Sequence, residues 1–313
     1  MRSSVRENGL SNKYSLRFTD MIDSIIAKLL FGKLLGRPDI SKAYKMVGPE
    51  DSWYNTIKKV HDSLNEIQKL PHKELCITGF DGLKLKGIYY PCENARGTVI
   101  CAHGFGSHAE REWAFPGLFY LSLGFNMLIP YQRAHGPSEG KYITFGALEH
   151  RDMMDWVNKI GEISPQKSIV IHGLSMGGLI ALQLSDKDMA NVKCIISDAP
   201  SESIERFFVN VSNEVFKKRG KKISKCAIEQ FNKQNSVDLR DFNGVDIVKN
   251  SKYPILLSAG SMEKMEGLFA RIKDNNPCPT EIIILEGCNH GNGMYKQTEA
   301  YQKCITNFIN KYV

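Results

Sequence analysis

The chain has 313 residues, 42% of them hydrophobic and 24% charged, and a formal net charge of +7. These proportions are ordinary for a globular protein with a sizeable core, and no stretch reaches the roughly 20 unbroken apolar residues a membrane span needs. The opening MRSSVRENGLSNKYSLRFTD is polar throughout, so no secretory signal is expected there. The eight cysteines are scattered without a CxxC pair, several inside apolar runs such as TVICAHG and VKCIISD. That pattern fits free thiols in a reducing cytoplasm better than a disulfide framework. The first 60 residues hold eleven Lys/Arg and six Asp/Glu, which reads as a solvated tail and helix face. No nucleic-acid-binding module is recognisable, and a moderately basic pI does not argue for one.

Residues 1–19 read as a disordered tail. From Met21 to Leu35 apolar residues recur at helical spacing (Ile22, Ile25, Ile26, Leu29, Leu30). Such a stripe packs on the body of its own protein or lies on a membrane surface, and the first reading is preferred. A second helix is expected over 51–67, before Pro71. A hairpin follows, ELCITGF and LKLKGIYY around Asp81-Gly82. Short apolar runs then alternate with helical patterns: TVICAH, FNMLIPY, SIVIHG, VKCIIS, YPILLS and EIIIL. This alternation predicts a mostly parallel sheet with helices on both faces. Between VKCIIS and YPILLS lies a long stretch of helical pattern, and the last helix is expected from about Gln297 to Tyr312.

Gly173-Leu174-Ser175-Met176-Gly177 follows the strand SIVIH and opens a helical run. A GxSxG pentapeptide is uninformative alone. Set between a strand and a helix, it is the nucleophile elbow of the α/β-hydrolase fold, with Ser175 as nucleophile. His103-Gly104-Phe105-Gly106 follows the strand TVICA, where a His-Gly turn presents a backbone N–H to an oxyanion. The expected donors are the amides of Phe105 and Met176, with His103 holding the loop. His290, in GCNHGNG after EIIIL, satisfies the chain order serine, acid, histidine and is the expected general base. His108 and Glu110 either line the site or are solvated. The KKRGKK run at 217–222 reads as exposed. No Walker loop, dinucleotide fingerprint or HExxH pattern is present, so neither a cofactor nor a metal is implied.

On FDGLKLKG, ICAHGFG, YQRAHGPSEGKYITFGALEHRDMMDWV, GLSMGG, IISDAPS and GCNHG, the chain resembles bacterial cap-bearing α/β hydrolases of the serine aminopeptidase-like and esterase/lipase-like group. The resemblance runs from Glu74 to the C-terminus. Together with the elements read above, it divides the chain into an expected N-terminal tail and helical extension over 1–70 and a hydrolase domain over 71–313. A helical cap is inserted at about 201–250. It also implies scaffold roles for Gly146, Glu149 and Asp152. Two positions depart from the pattern. Gln132 stands where relatives carry an aspartate, and the loop that supplies the acid, G-x-x-D-x-x-V-P in relatives, is here the shorter Gly260-Ser261-Met262-Glu263-Lys264-Met265-Glu266. Glu263 falls at the acid's position. Asp198, at the end of VKCIIS, is the rival, and the absence of an effective acid is the third alternative.

The expected reaction is acyl transfer to water on a small-molecule ester of small or medium acyl group. A peptidase or amidase is the alternative, with Glu202 or Glu205 as candidates to bind a substrate amino group. A catalytically impaired binding protein is the other. Composition and motifs leave the oligomeric state open.

Overall fold

The hairpin and the apolar runs join in one eight-stranded sheet of order β1-β2-β4-β3-β5-β6-β7-β8. The strands are β1 (Lys73–Thr78), β2 (Lys84–Tyr90), β3 (Gly97–Ala102), β4 (Phe125–Pro130), β5 (Ser168–Leu174), β6 (Val192–Asp198), β7 (Ile255–Gly260) and β8 (Thr280–Leu285). β2 pairs antiparallel with both β1 and β4; every other pairing is parallel. The computed structural model describes residues 25–29, 32 and 35–313 except 166 and 236. The expected tail and most of the Met21–Leu35 stripe therefore lie outside the described residues, though residues 25–29 are helical. No helix among the described residues is long and apolar enough to cross a membrane.

Every residue of β3, β4 and β7 is buried, which is why these strands read as continuous apolar runs rather than alternating ones. Successive side chains nonetheless leave on opposite faces. On one face Val99, Cys101, Met127, Val170, Cys194, Ile196 and Leu256 form a cluster with Trp113 and Phe308. It is covered by helices α1 (Tyr54–Ile67), α2 (Ala109–Ser122) and α7 (Thr298–Tyr312). The opposite face is covered by α3 (Glu149–Ile163), whose Trp156 would stand 3.2 Å from a Cβ on Gly87, and by α4 (Met176–Gln183), which packs on β3, β5 and β6. Burying each large apolar side chain contributes about 1.5–3 kcal/mol before entropy is charged against it.

Between strand ends, buried ionic groups fix the loops. Arg133 grips Asp152 with Nε and Nη2, both at 2.7 Å, and reaches Asp81 in the hairpin turn with Nη1 at 2.9 Å. Burial nevertheless pushes the Asp152 carboxyl up to about 7, against the pull of the guanidinium. Glu149 accepts from the Thr144 and Gly146 amides at 2.7 and 2.6 Å and from the Thr144 hydroxyl. These are the scaffold bonds expected of Gly146, Glu149 and Asp152.

The sheet, its helices, and residues 37–70 belong to one compact unit, Arg37–Ser203 with Phe242–Val313. Helices α5 (Ile204–Phe216) and α6 (Gly220–Asn235) fall in a second, Ile204–Asp241 with the described residues before Arg37. Within that unit α5 and α6 pack on each other and bury Phe208, Ile223, Ala227 and Phe231. The basic side chains from Lys217 to Lys222 are exposed. All eight cysteines are free.

Candidate active site

β3, β5, β6, β7 and β8 run parallel, so their carboxyl ends share one edge of the sheet, where open α/β sheets bind ligands. Ser175 follows β5 directly and holds φ 59° and ψ −113°, a left-handed conformation that strains any residue with a Cβ. Two contacts leave the chain no alternative. A Cβ on Gly173 would stand 1.9 Å from the Gly177 carbonyl oxygen, and one on Gly177 would stand 1.9 Å from that of Ala102. The Ser175 amide donates to the Asp198 carbonyl at 2.8 Å. Met176 opens α4, so no preceding turn of that helix can accept its N–H.

His290 leaves the loop after β8 with Nε2 2.9 Å from Ser175 Oγ and Nδ1 2.5 Å from Glu263 Oε2. Glu263 stands in the single tight turn Ser261–Glu263 after β7, and its Oε1 accepts the Gly260 amide at 2.9 Å. Two cross-loop bonds set the spacing: the Gly287 amide donates to Ser261 Oγ at 3.0 Å and the Met262 amide to the Cys288 carbonyl at 3.1 Å. The bond to Glu263 raises the His290 pKa above 6.5 against desolvation, with smaller help from Asp198 and Glu112. With the carboxylate on Nδ1, the proton sits there and the Nε2 lone pair faces the serine hydroxyl.

Asp198, the rival acid, makes its bonds elsewhere. Ser258 Oγ and the Tyr301 hydroxyl each donate to it at 2.8 Å, and burial pushes its carboxyl up to about 6. His172 Nε2 lies 3.2 Å from the Tyr301 oxygen and its Nδ1 2.7 Å from the Tyr120 hydroxyl. Since Tyr301 donates to Asp198, its oxygen accepts from His172 Nε2–H, and His172 Nδ1 accepts from Tyr120. Burial keeps this imidazole neutral, with a pKa pushed down to about 3.

The turn at 103–106 is held by buried side chains. His103 Nε2 accepts the Gln132 amide at 3.1 Å, so Nδ1 carries the proton and donates to the Gly104 carbonyl at 2.8 Å. Phe105 and Met176, the expected oxyanion donors, thus belong to the loop after β3 and to the start of α4. Of the two residues read as lining the site or solvated, Glu110 is buried and His108 half-buried. His108 caps α2 by accepting the Arg111 amide, and Glu110 is buried against the Tyr90 hydroxyl and Gln68. Glu112, absent from the sequence reading, is 3% exposed and accepts the Gly104 amide at 2.8 Å. Its context, AEREW, looks like the outer face of a helix, and only tertiary packing turns it inward. Glu202 is paired with Arg271 at 2.8 and 3.0 Å. Among the described residues no group of three or more His, Cys, Asp or Glu could hold a metal ion.

Comparison with known proteins agrees with this architecture. An esterase of Pyrococcus furiosus superposes with a TM-score of 0.63 at 22% identity, covering 89% of this chain and 98% of that one. An acylaminoacyl peptidase of Pyrococcus horikoshii superposes with a TM-score of 0.56 at 16% identity, covering 80% of this chain and 43% of that one. In sequence, the uncharacterized protein YqkD of Bacillus subtilis is 20% identical over 254 residues, 80% of this chain and 83% of its own. The family described as serine aminopeptidase, S33, matches residues 93–262, more than half of the chain. A sheet with this strand order, a strained serine between β5 and α4, and that match make the chain a member of the S33 serine aminopeptidase family, a hydrolase family, with the α/β-hydrolase fold.

Proposed function

We propose that the protein is a serine hydrolase working through an acyl-enzyme, and that its substrates are small-molecule esters with small or medium acyl groups. The observation that carries this reading is the unbroken relay from Ser175 Oγ to His290 Nε2 and from His290 Nδ1 to Glu263. A serine at its free pKa is a weak nucleophile, and here a neutral imidazole stands within reach of its proton. Ser175 attacks the carbonyl carbon as His290 takes the proton. Glu263 stabilises the imidazolium, and the amides of Phe105 and Met176 receive the oxyanion. His290 then protonates the leaving alcohol. It next takes a proton from the water that attacks the acyl carbonyl, and returns it to Ser175 Oγ as the serine–acyl bond breaks and the acid leaves. The free cysteines fit a cytoplasmic setting.

An amide or peptide substrate is the second reading, drawn from the family's description and from the acylaminoacyl peptidase neighbour. It asks for an acidic group to hold a substrate amine. Glu202, one of the two candidates, already has its charge paired with Arg271, which favours the ester reading. The test pairs a fluorophosphonate probe with p-nitrophenyl esters and aminoacyl anilides. Labelling at Ser175 and faster ester turnover, both abolished in Ser175→Ala, are expected. A folded wild-type protein that does not label would overturn the serine hydrolase reading, and faster anilide turnover would overturn the ester preference.

A further inference from the structure

The Phe105 N–H can serve an oxyanion only if its peptide is prevented from rotating, and four buried side chains act on that turn. His103 Nδ1–H holds the Gly104 carbonyl at 2.8 Å. In a trans peptide the N–H of the next residue points opposite to this carbonyl, so the contact aims the Phe105 amide. The following amide, Gly106, donates to His135 Nε2 at 3.1 Å, while His135 Nδ1 donates to the Arg133 carbonyl at 3.0 Å. The preceding peptide is pinned at both ends. Gln132 Nε2 donates to the His103 carbonyl at 2.7 Å, and the Gly104 N–H donates to Glu112 Oε1 at 2.8 Å. Gly104 lies between Glu112 and the nucleophile: a Cβ there would be 3.3 Å from Glu112 Oε2 and 3.5 Å from Ser175 Cβ.

Both imidazoles are neutral at any working pH, since burial presses His103 well below 6.5 and His135 down to about 4. Glu112 is the exception. No lysine or arginine contacts its carboxylate among the described residues; the facing groups are the Ser107 hydroxyl, Tyr44, Cys101, Tyr295 and, further off, His290. The Tyr44 hydroxyl donates to Oε2 at 3.2 Å, from a segment fastened by Arg111 to the Ala43 carbonyl and by Arg37 to the Ser138 carbonyl, each at 2.8 Å. Ionised, the carboxylate accepts from Gly104 and Tyr44 together. Protonated, one oxygen becomes a donor and one of these acceptor contacts is lost. We propose that Glu112 is a positioning residue for the hydrolysis, its ionised carboxylate locking the 103–106 turn so that the Phe105 amide is preorganised for the oxyanion. The inference rests on the serine hydrolase reading. Burial raises the Glu112 carboxyl to about 7, so the lock engages across the neutral range and adds its own titration to that of His290.

The experiment measures kcat and KM for a p-nitrophenyl ester in wild type, E112Q and E112A between pH 5.5 and 8.5, with fluorophosphonate labelling and thermal melts alongside. Removing one oxyanion donor outright costs about 10²–10³ in kcat, so losing its positioning should cost about 10–100-fold in E112A at pH 8, with KM nearly unchanged. Glutamine can still accept the Gly104 N–H but cannot ionise. E112Q should therefore recover to within about fivefold of wild type at pH 8 and fall less steeply below it. From pH 8 to 6 the wild type should lose about two- to fivefold more kcat than E112Q, given a carboxyl that titrates at about 7. If E112A does not fold, E112L supplies the same comparison. A folded E112A or E112L with kcat within twofold of wild type, or an E112Q profile parallel to wild type, overturns the inference while Ser175 still labels. A wild type that neither labels nor turns over ester overturns the hydrolase reading itself, and the inference with it.

Discussion

Glu263→Gln and Glu263→Ala should separate in a way that depends on a single backbone bond. Glu263 Oε1 accepts the Gly260 amide at 2.9 Å, and Oε2 faces His290 Nδ1. In the glutamine variant the carbonyl oxygen must stay on the Gly260 N–H, because an NH₂ group there would oppose a donor. The amide nitrogen then faces Nδ1 and donates to it. That places the imidazole proton on Nε2, toward Ser175, and leaves no lone pair to take the serine proton. Alanine removes the carboxylate but imposes no tautomer.

The magnitudes follow from charge and exposure. Two unit charges about 4 Å apart interact by about 4 kcal/mol at an effective dielectric of about 20. The His290 side chain is 56% exposed, so solvent screening takes roughly half of that. About 2 kcal/mol corresponds to a loss of about 30-fold in kcat for Glu263→Ala. Glu263→Gln adds the wrong tautomer, which alone has cost about 10⁴ in a fully buried triad, and should lose about 10³-fold. The alanine variant should also shift its acid limb to lower pH. Glu263 is the largest cause of the raised His290 pKa, and without it the neutral base persists further into acid. Steady-state kcat against pH with a p-nitrophenyl ester measures both effects. Glu263→Gln retaining as much activity as Glu263→Ala would refute the tautomer argument, and equality of both with wild type would remove Glu263 from the mechanism.

Asp198→Asn should lower kcat by less than tenfold, far less than Glu263→Gln, because Asp198 spends its oxygens on Ser258 and Tyr301; ester kinetics on folded protein decide, and the reverse order would move the acid to Asp198. Ser175→Gly should be more stable to urea than Ser175→Ala by about 1 kcal/mol, since glycine relieves the strain at φ 59° at some entropic cost, and equal midpoints would argue against strain at the elbow. His172 is buried and neutral, with its pKa lowered from 6.5 to about 3, so stability it allows at pH 8 is lost as pH falls through 6.5. Between pH 8 and 5 the wild type should lose about 2 kcal/mol more unfolding free energy than His172→Gln, as read from urea melts at the two values; a pH-independent difference would contradict the buried neutral imidazole.

The parallel core was legible because strands buried on both faces leave continuous apolar runs bounded by turns. Even there the edges moved. The run expected at 253–258 pairs from Ile255 to Gly260, since Pro254 cannot donate to a ladder and the strand continues through Ala259 and Gly260 beside β8. The antiparallel bonding of β2 to β4 left no local trace, being a property of the closed sheet. At the site, Ser175 and His290 were marked by local grammar, a strand–turn–helix and a glycine-flanked loop. Glu112 was not, because nothing in AEREW says which charged side chain faces inward. Nor did the chain announce Ser261, whose hydroxyl ties the acid loop to the histidine loop.

The departures from the family pattern bear most directly on whether the site can work. The shortened acid loop was the motive for reading the protein as catalytically impaired. A glutamate in a tight turn directly after β7 reaches His290 at 2.5 Å, with the extra methylene compensating for the missing residues. Gln132 has a comparable logic. The His103 carbonyl needs a donor, and the Gln132 amide supplies one at 2.7 Å where an ionised aspartate could only accept. An aspartate there would also set a second carboxylate against the peptide already held by Glu112, raising the cost of ionising either. A neutral amide at 132 lets Glu112 carry the charge alone. The two departures thus favour a competent serine hydrolase over an impaired one.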